Sequence, residues 1–161
     1  MAMHNAHPAD NKQIAQRFME ECWNKGNFNA VSEYLSTNCQ YHDPVFPHLT
    51  SGADNIRRHI ENCRTGFPDM KIKIEDTIAE GKEVVHHWTV TGTHKGQFLG
   101  LAPTNRKANV SGTSIFRIKD GKIVEQWTDW NLMTLMEQLG ISAAMKTQSN
   151  ATAKAESKAH A

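Results

Sequence analysis

Met70-Lys71-Ile72-Lys73-Ile74-Glu75-Asp76-Thr77-Ile78 is the stretch on which the fold turns. Upstream of it apolar residues recur every three to four positions. From Met70 onward they recur every second position, with charged residues between them, as on a half-buried strand. Downstream, Glu80-Gly81-Lys82 reads as a turn, and Glu83 to His94 is rich in β-branched and aromatic residues and predicts a long strand. Lys95 to Arg106, with Gly96, Gly100 and Pro103, predicts a bent connection; Lys107 to Ile118 predicts another strand. Asp120-Gly121 predicts a tight hairpin leading to a last strand, Ile123 to Asn131. Leu132, Leu135, Met136 and Leu139 then form a short closing helix stopped by Gly140.

Upstream, Asp10 and Gln13 have capping-box spacing, and Ile14, Phe18 and Cys22 mark one face of a helix that ends at Gly26. A second short helix is expected over 27–35. Tyr41-His42-Asp43-Pro44 reads as a short extended piece. Ser51 is expected to cap a third helix with Ile56, Ile60, Cys63 and Phe67 on its apolar stripe. Helices first, then a meander, predicts an α+β domain with helices on one face of a single antiparallel sheet.

The length, 161 residues, is that of one domain. A polar arm over 1–9 and an Ala/Lys/Ser/Thr tail over 142–161 flank a domain over 10–141. Lys and Arg number 18 and Asp and Glu 17, so no basic surplus exists to replace the counterions of a nucleic acid. There is no apolar run long enough for a membrane-spanning helix, and Met1 to Asp10 lacks the pattern of a signal peptide. Cys22, Cys39 and Cys63 are odd in number and widely spaced, as reduced packing thiols of a cytoplasmic protein would be.

The nine histidines form no His-x-His, His-Glu-x-x-His or Cys/His cluster, so no metal site is expected. The adjacent His86 and His87 must point to opposite faces of a strand. Glycine-rich nucleotide loops and a Gly-x-Ser-x-Gly elbow are also missing. The polar residues left as a cavity wall are His87, the pair Asp129 and Asn131 on the face of Trp127, and His42-Asp43 at a rim.

Phe67-Pro68-Asp69-Met70, the run Gly92 to Thr104 (GTHKGQFLGLAPT), the run Phe116 to Trp127 (FRIKDGKIVEQW) and Gln138-Leu139-Gly140 together resemble the SnoaL-like polyketide cyclases, over roughly 10–141. The resemblance implies a nuclear-transport-factor-2-like fold: a cone-shaped, strongly curved antiparallel sheet closed by N-terminal helices around an apolar cavity. It also implies an intramolecular aldol-type cyclisation, or an isomerisation, of a small hydrophobic carbonyl or ester compound, with no cofactor and no metal. A carboxylate in an apolar cavity is a strengthened base for a carbon flanked by carbonyls. Family members carry a catalytic Asp four residues beyond the Trp that matches Trp127, where this chain has Asn131. Asp129, about 6.6–6.8 Å earlier on the strand, is therefore the expected base, and Asn131 a donor to the enolate.

His42, Asp43, Phe67, His87, Arg117 and Trp127 are the expected substrate-binding residues. Arg117 depends on hairpin register. A two-residue loop sets it opposite Val124, and a three-residue loop sets it opposite Ile123 on the face of Asp129; the resemblance favours the second. A non-catalytic binder of hydrophobic ligands and a cofactor-independent hydroxylase are the alternative functions on this fold. Trp88 and Val90, expected on the outer sheet face, suggest a homodimer or higher homo-oligomer.

Overall fold

A computed structural model describes residues 8–49 and 51–141; most of the expected arm and all of the expected tail lie outside them. Helix α1 (Pro8–Phe18) runs on into a π-helical turn, Met19–Asn24, and the segment ends at Gly26. The expected second helix is shorter than its span. A 3-10 turn, Phe28–Ala30, leads into α2 (Val31–Tyr34), and Leu35 already begins strand β1 (Leu35–His42). Helix α3 (Ala53–Gly66) follows, with Gly52 rather than Ser51 at its N-cap. The meander is β2 (Lys71–Glu80), β3 (Glu83–Thr93), β4 (Lys107–Lys119) and β5 (Lys122–Trp130), and α4 (Leu132–Gln138) closes the chain.

The sheet has five strands in the order β1-β5-β4-β3-β2. The meander is antiparallel, as hairpin connections require, but β1 lies parallel to β5. The sheet is therefore mixed. No hairpin joins β1 to its neighbour, so nothing in the connection forces the two strands to run oppositely. What reads locally as a short extended piece at Tyr41 is the end of an eight-residue edge strand.

Asp120 and Gly121 both adopt positive φ, 51° and 76°, as a two-residue primed turn requires. Ile118 accordingly pairs with Ile123, but the register then shifts and Arg117 pairs with Glu125. Neither expected partner of Arg117 is the observed one. The bulge leaves Val124 unpaired and bends the strand.

Helices α1 and α3 cover one face of the sheet. Phe18 meets Phe116 edge-on at 6.2 Å, and Ile56 and Ile60 are fully buried. The covered face carries Ile72, Val84, Trp88, Val110, Phe116, Ile118 and Ile123. Trp88 thus points inward, opposite Gly112, where an added Cβ would stand 2.5 Å from the indole ring. Trp88 and Val90 line the interior and do not supply the apolar outer face expected of them. None of the described helices is long and apolar enough to cross a membrane.

Candidate functional site

The space between helices and sheet is not completely filled. A cavity of about 120 Å³ remains, walled by Met19, Trp23, Phe46, Phe67, Trp88 and Phe98 among others. Several of its polar groups come from alternate residues of two neighbouring strands. In β5 the bulge sends Gln126, Thr128 and Trp130 inward and Trp127 and Asp129 outward. In β1 and the residue after it, Tyr41 and Asp43 point inward and His42 outward.

Asp43 is the acid of this cavity. Only 6% of its surface is exposed. Oδ1 accepts the backbone N–H of Val45 at 2.8 Å, closing a turn after Pro44. Oδ2 accepts from Trp130 Nε1 at 3.1 Å and from the Tyr41 hydroxyl at 3.4 Å. Burial pushes its pKa above the ordinary aspartate value, and the charge of Asp129 adds to the rise. The three hydrogen bonds oppose it without cancelling it.

The sheet face of the cavity carries a polar relay that ends at Gln126, whose Oε1 is buried and unpartnered among the described residues. Trp88 Nε1 donates to Ser114 Oγ at 3.0 Å, which pairs with Thr128 Oγ1 at 3.0 Å, which in turn accepts from Gln126 Nε2 at 2.9 Å. His59, from α3, forms part of the opposite wall. Its ring packs against Phe46 at 4.4 Å, Tyr41 at 5.5 Å and Trp23 at 5.9 Å, and burial lowers its pKa to about 4.

The residues expected to share one cavity are divided between two faces. Phe67 and Asp43 line the interior. His42, Trp127 and Asp129 border an outer groove, together with Pro44 and Pro47, and this groove meets the cavity at Tyr41, Asp43 and Phe46, which line both. There Trp127 stacks on His42 at 5.2 Å and under the Arg117 guanidinium at 4.8 Å. Glu125 contacts both the His42 ring at 2.9 Å and the Arg117 guanidinium at 2.7 Å, and Arg117 also reaches Glu83 at 3.0 Å. Arg117 does share a face with Asp129, as expected, but that face is the outer one. His87 is exposed on the outer face of β3, and its neighbour His86 is the buried one. Asn131 caps α4, its Oδ1 accepting the N–H of Thr134 at 3.1 Å.

His59 is the cavity residue that the sequence reading passed over. It occupies the apolar stripe of α3, between Ile56 and Cys63, and a histidine on such a stripe is the signal that could have found it. Among the described residues no group of three or more His, Cys, Asp and Glu side chains converges in a way that could hold a metal ion.

A family model for SnoaL-like polyketide cyclases matches residues 13–139. No curated protein sequence matches the chain. Among solved structures, TsrD from Streptomyces laurentii superposes with a TM-score of 0.76 at 24% identity, covering 84% of this chain and 98% of that one. A proposed polyketide cyclase from Acidithiobacillus ferrooxidans gives 0.74 at 25% identity, covering 83% and 96%. AclR, a proposed hydroxylase from Streptomyces galilaeus, gives 0.72 at 25% identity, covering 83% and 98%.

Proposed function

Because the chain belongs to the SnoaL-like polyketide cyclase family, we propose that it is a cofactor-independent acid/base enzyme that enolises a small carbonyl or ester compound in its cavity, with Asp43 as the base. The observation that carries this reading is a buried carboxyl facing an apolar space, its pKa raised by burial.

The ionised Asp43 removes a proton from the carbon beside a carbonyl. The C–H electron pair becomes the new C=C bond, and the carbonyl π pair moves onto oxygen as an enolate. Attack of the enolate carbon on a second carbonyl of the same molecule closes a ring, the π pair of that carbonyl moves onto its oxygen, and the proton held by Asp43 passes to this alkoxide; return of the proton to another carbon instead gives an isomer. The raised pKa makes the carboxylate a stronger base, and the N–H of Val45, the indole of Trp130 and the Tyr41 hydroxyl hold it in one orientation. No step requires a metal or a redox partner.

Deuterium exchange into a panel of small β-dicarbonyl esters, followed by NMR, tests this without knowledge of the natural substrate. Wild type is expected to accelerate exchange, and Asp43→Asn to lose about 10²–10⁴-fold of that acceleration. Asp129→Asn is expected to retain most of it, because Asp129 is exposed on the outer face. The opposite ranking of the two variants would return the base to Asp129 and defeat the proposal. AclR supports a second reading, hydroxylation, because that relative is a proposed hydroxylase at comparable similarity. Oxygen uptake during turnover would favour it.

A further inference from the structure

His59 has a cost that packing does not explain. Its side chain is nine-tenths buried, with 8% of its surface exposed, among Trp23, Tyr41 and Phe46. Among the described residues its polar contact is the Cys63 thiol, 3.8 Å from Nε2 and 4.0 Å from Nδ1, and no oxygen or nitrogen hydrogen-bonds to the ring. Burying a ring N–H without a strong acceptor is unfavourable, and a phenylalanine would fill this aromatic nest without that loss. The imidazole nevertheless borders the cavity that the proposed base also lines. The Tyr41 hydroxyl contacts Asp43 at 3.4 Å, and the Tyr41 ring lies against His59.

We propose that His59 is the oxygen-binding catalytic residue of the cavity, and that the part of the substrate held there is an enolisable carbonyl unit about one ring in size whose oxygen accepts the imidazole N–H. The inference rests on the reading of Asp43 as base and extends it to the other end of the reacting bond system. A neutral imidazole suits the role: it offers one donor and carries no charge to bury. Donation to the carbonyl oxygen strengthens as the C–H pair is released and charge gathers there. The size of that part follows from the cavity, and the remainder of a larger substrate would lie in the groove beside Tyr41, Asp43 and Phe46. A volume of about 120 Å³ is close to that of an apolar protein cavity, about 150 Å³, known to admit benzene.

Phenol and toluene are suitable probes, being equal in heavy atoms and different only in hydroxyl against methyl. Calorimetric binding of each to wild type, His59→Phe and His59→Gln gives a phenol-to-toluene affinity ratio. Wild type is expected to bind both, His59→Phe to shift the ratio toward toluene by roughly tenfold, and His59→Gln to recover part of the shift. In the wild type, the imidazole nitrogen resonances of His59 should move with phenol and not with toluene. If His59→Phe binds neither probe, those resonances decide. An unchanged ratio in a His59→Phe that still binds toluene, resonances indifferent to phenol, or a wild type that binds neither probe would each overturn the inference. Binding of these probes involves no turnover, so this outcome is independent of the Asp43→Asn exchange test.

Discussion

Trp130 and Tyr41 touch Asp43 by one polar atom each, and both atoms are donors aimed at the same carboxylate oxygen. A donor stabilises the charged form, so it lowers the pKa that burial has raised. Removing one should let burial dominate further. Trp130→Phe is therefore expected to move the acid limb of the kcat/KM profile upward by about one to two pH units, since a hydrogen bond to a charged group is worth roughly 1.5–3 kcal/mol. The rate above that limb should be retained, because a base of higher pKa is the stronger base once ionised. Tyr41→Phe should move the limb the same way and by less, its contact being the longer one. Profiles of wild type and both variants on one exchangeable β-dicarbonyl ester measure this. A limb unmoved by Trp130→Phe would show that Asp43 does not control it.

At the scale of elements, the end of β5 shows how a residue can sit beside chemistry and serve structure. Asn131 is the first residue after the strand and the N-cap of a seven-residue helix. Asn131→Ala is expected to destabilise the protein by about 1 kcal/mol, as loss of an N-cap does. Asn131→Asp keeps the acceptor and adds a negative charge at the helix N-terminus, so stability should hold or rise slightly. Urea unfolding of the two variants measures both. The same strand shows what was legible in the sequence. Alternation correctly groups Trp127 with Asp129, but period alone gives two sets and does not say which faces the helices. Here the inward set is Gln126, Thr128 and Trp130, more polar than a core strand usually is, because it lines a cavity. β3 poses the same ambiguity, with two adjacent histidines, and there too the inward member is the one not expected. The period change at Met70, the hairpins and the order of elements are local signals and were readable. The parallel pairing of β1 with β5 joins residues more than eighty positions apart, beyond any window of sequence pattern.

At the scale of the whole molecule, three buried histidines, His59, His86 and His94, have pKa values lowered by burial and tie stability to pH. His86 is fully buried against Phe116 at 5.3 Å, and neither ring nitrogen has a hydrogen-bond partner among the described residues. His59 lines the cavity, and burial holds both pKa values near 4, against about 6.5 for an unfolded histidine. Between those values the unfolded chain binds protons that the folded chain refuses, so stability falls as pH falls. The contribution is whole above about 6.5 and is lost progressively down to about 4, on the order of 3 kcal/mol for each of these two, and His94 adds to it in the same sense. Asp43 works in the opposite sense. Its raised pKa means that the folded state takes up a proton first on acidification, which offsets part of the loss. Asp69 is held below the ordinary value by the Thr93 hydroxyl and backbone N–H, so its contribution fades only at still lower pH and does not blur the histidine window. His86→Leu separates the terms. It removes one titrating ring of the three together with its unpartnered nitrogens, so a substantial part, less than half, of the pH slope between about 6.5 and 4 should disappear. Stability at neutral pH should hold or rise, because an apolar side chain of similar size leaves no buried polar atom unmatched. Urea unfolding of wild type and His86→Leu at several pH values across this window reads both quantities. Equal slopes in the two proteins would mean that His86 is protonated in the folded state, and its surroundings would then have to supply an acceptor.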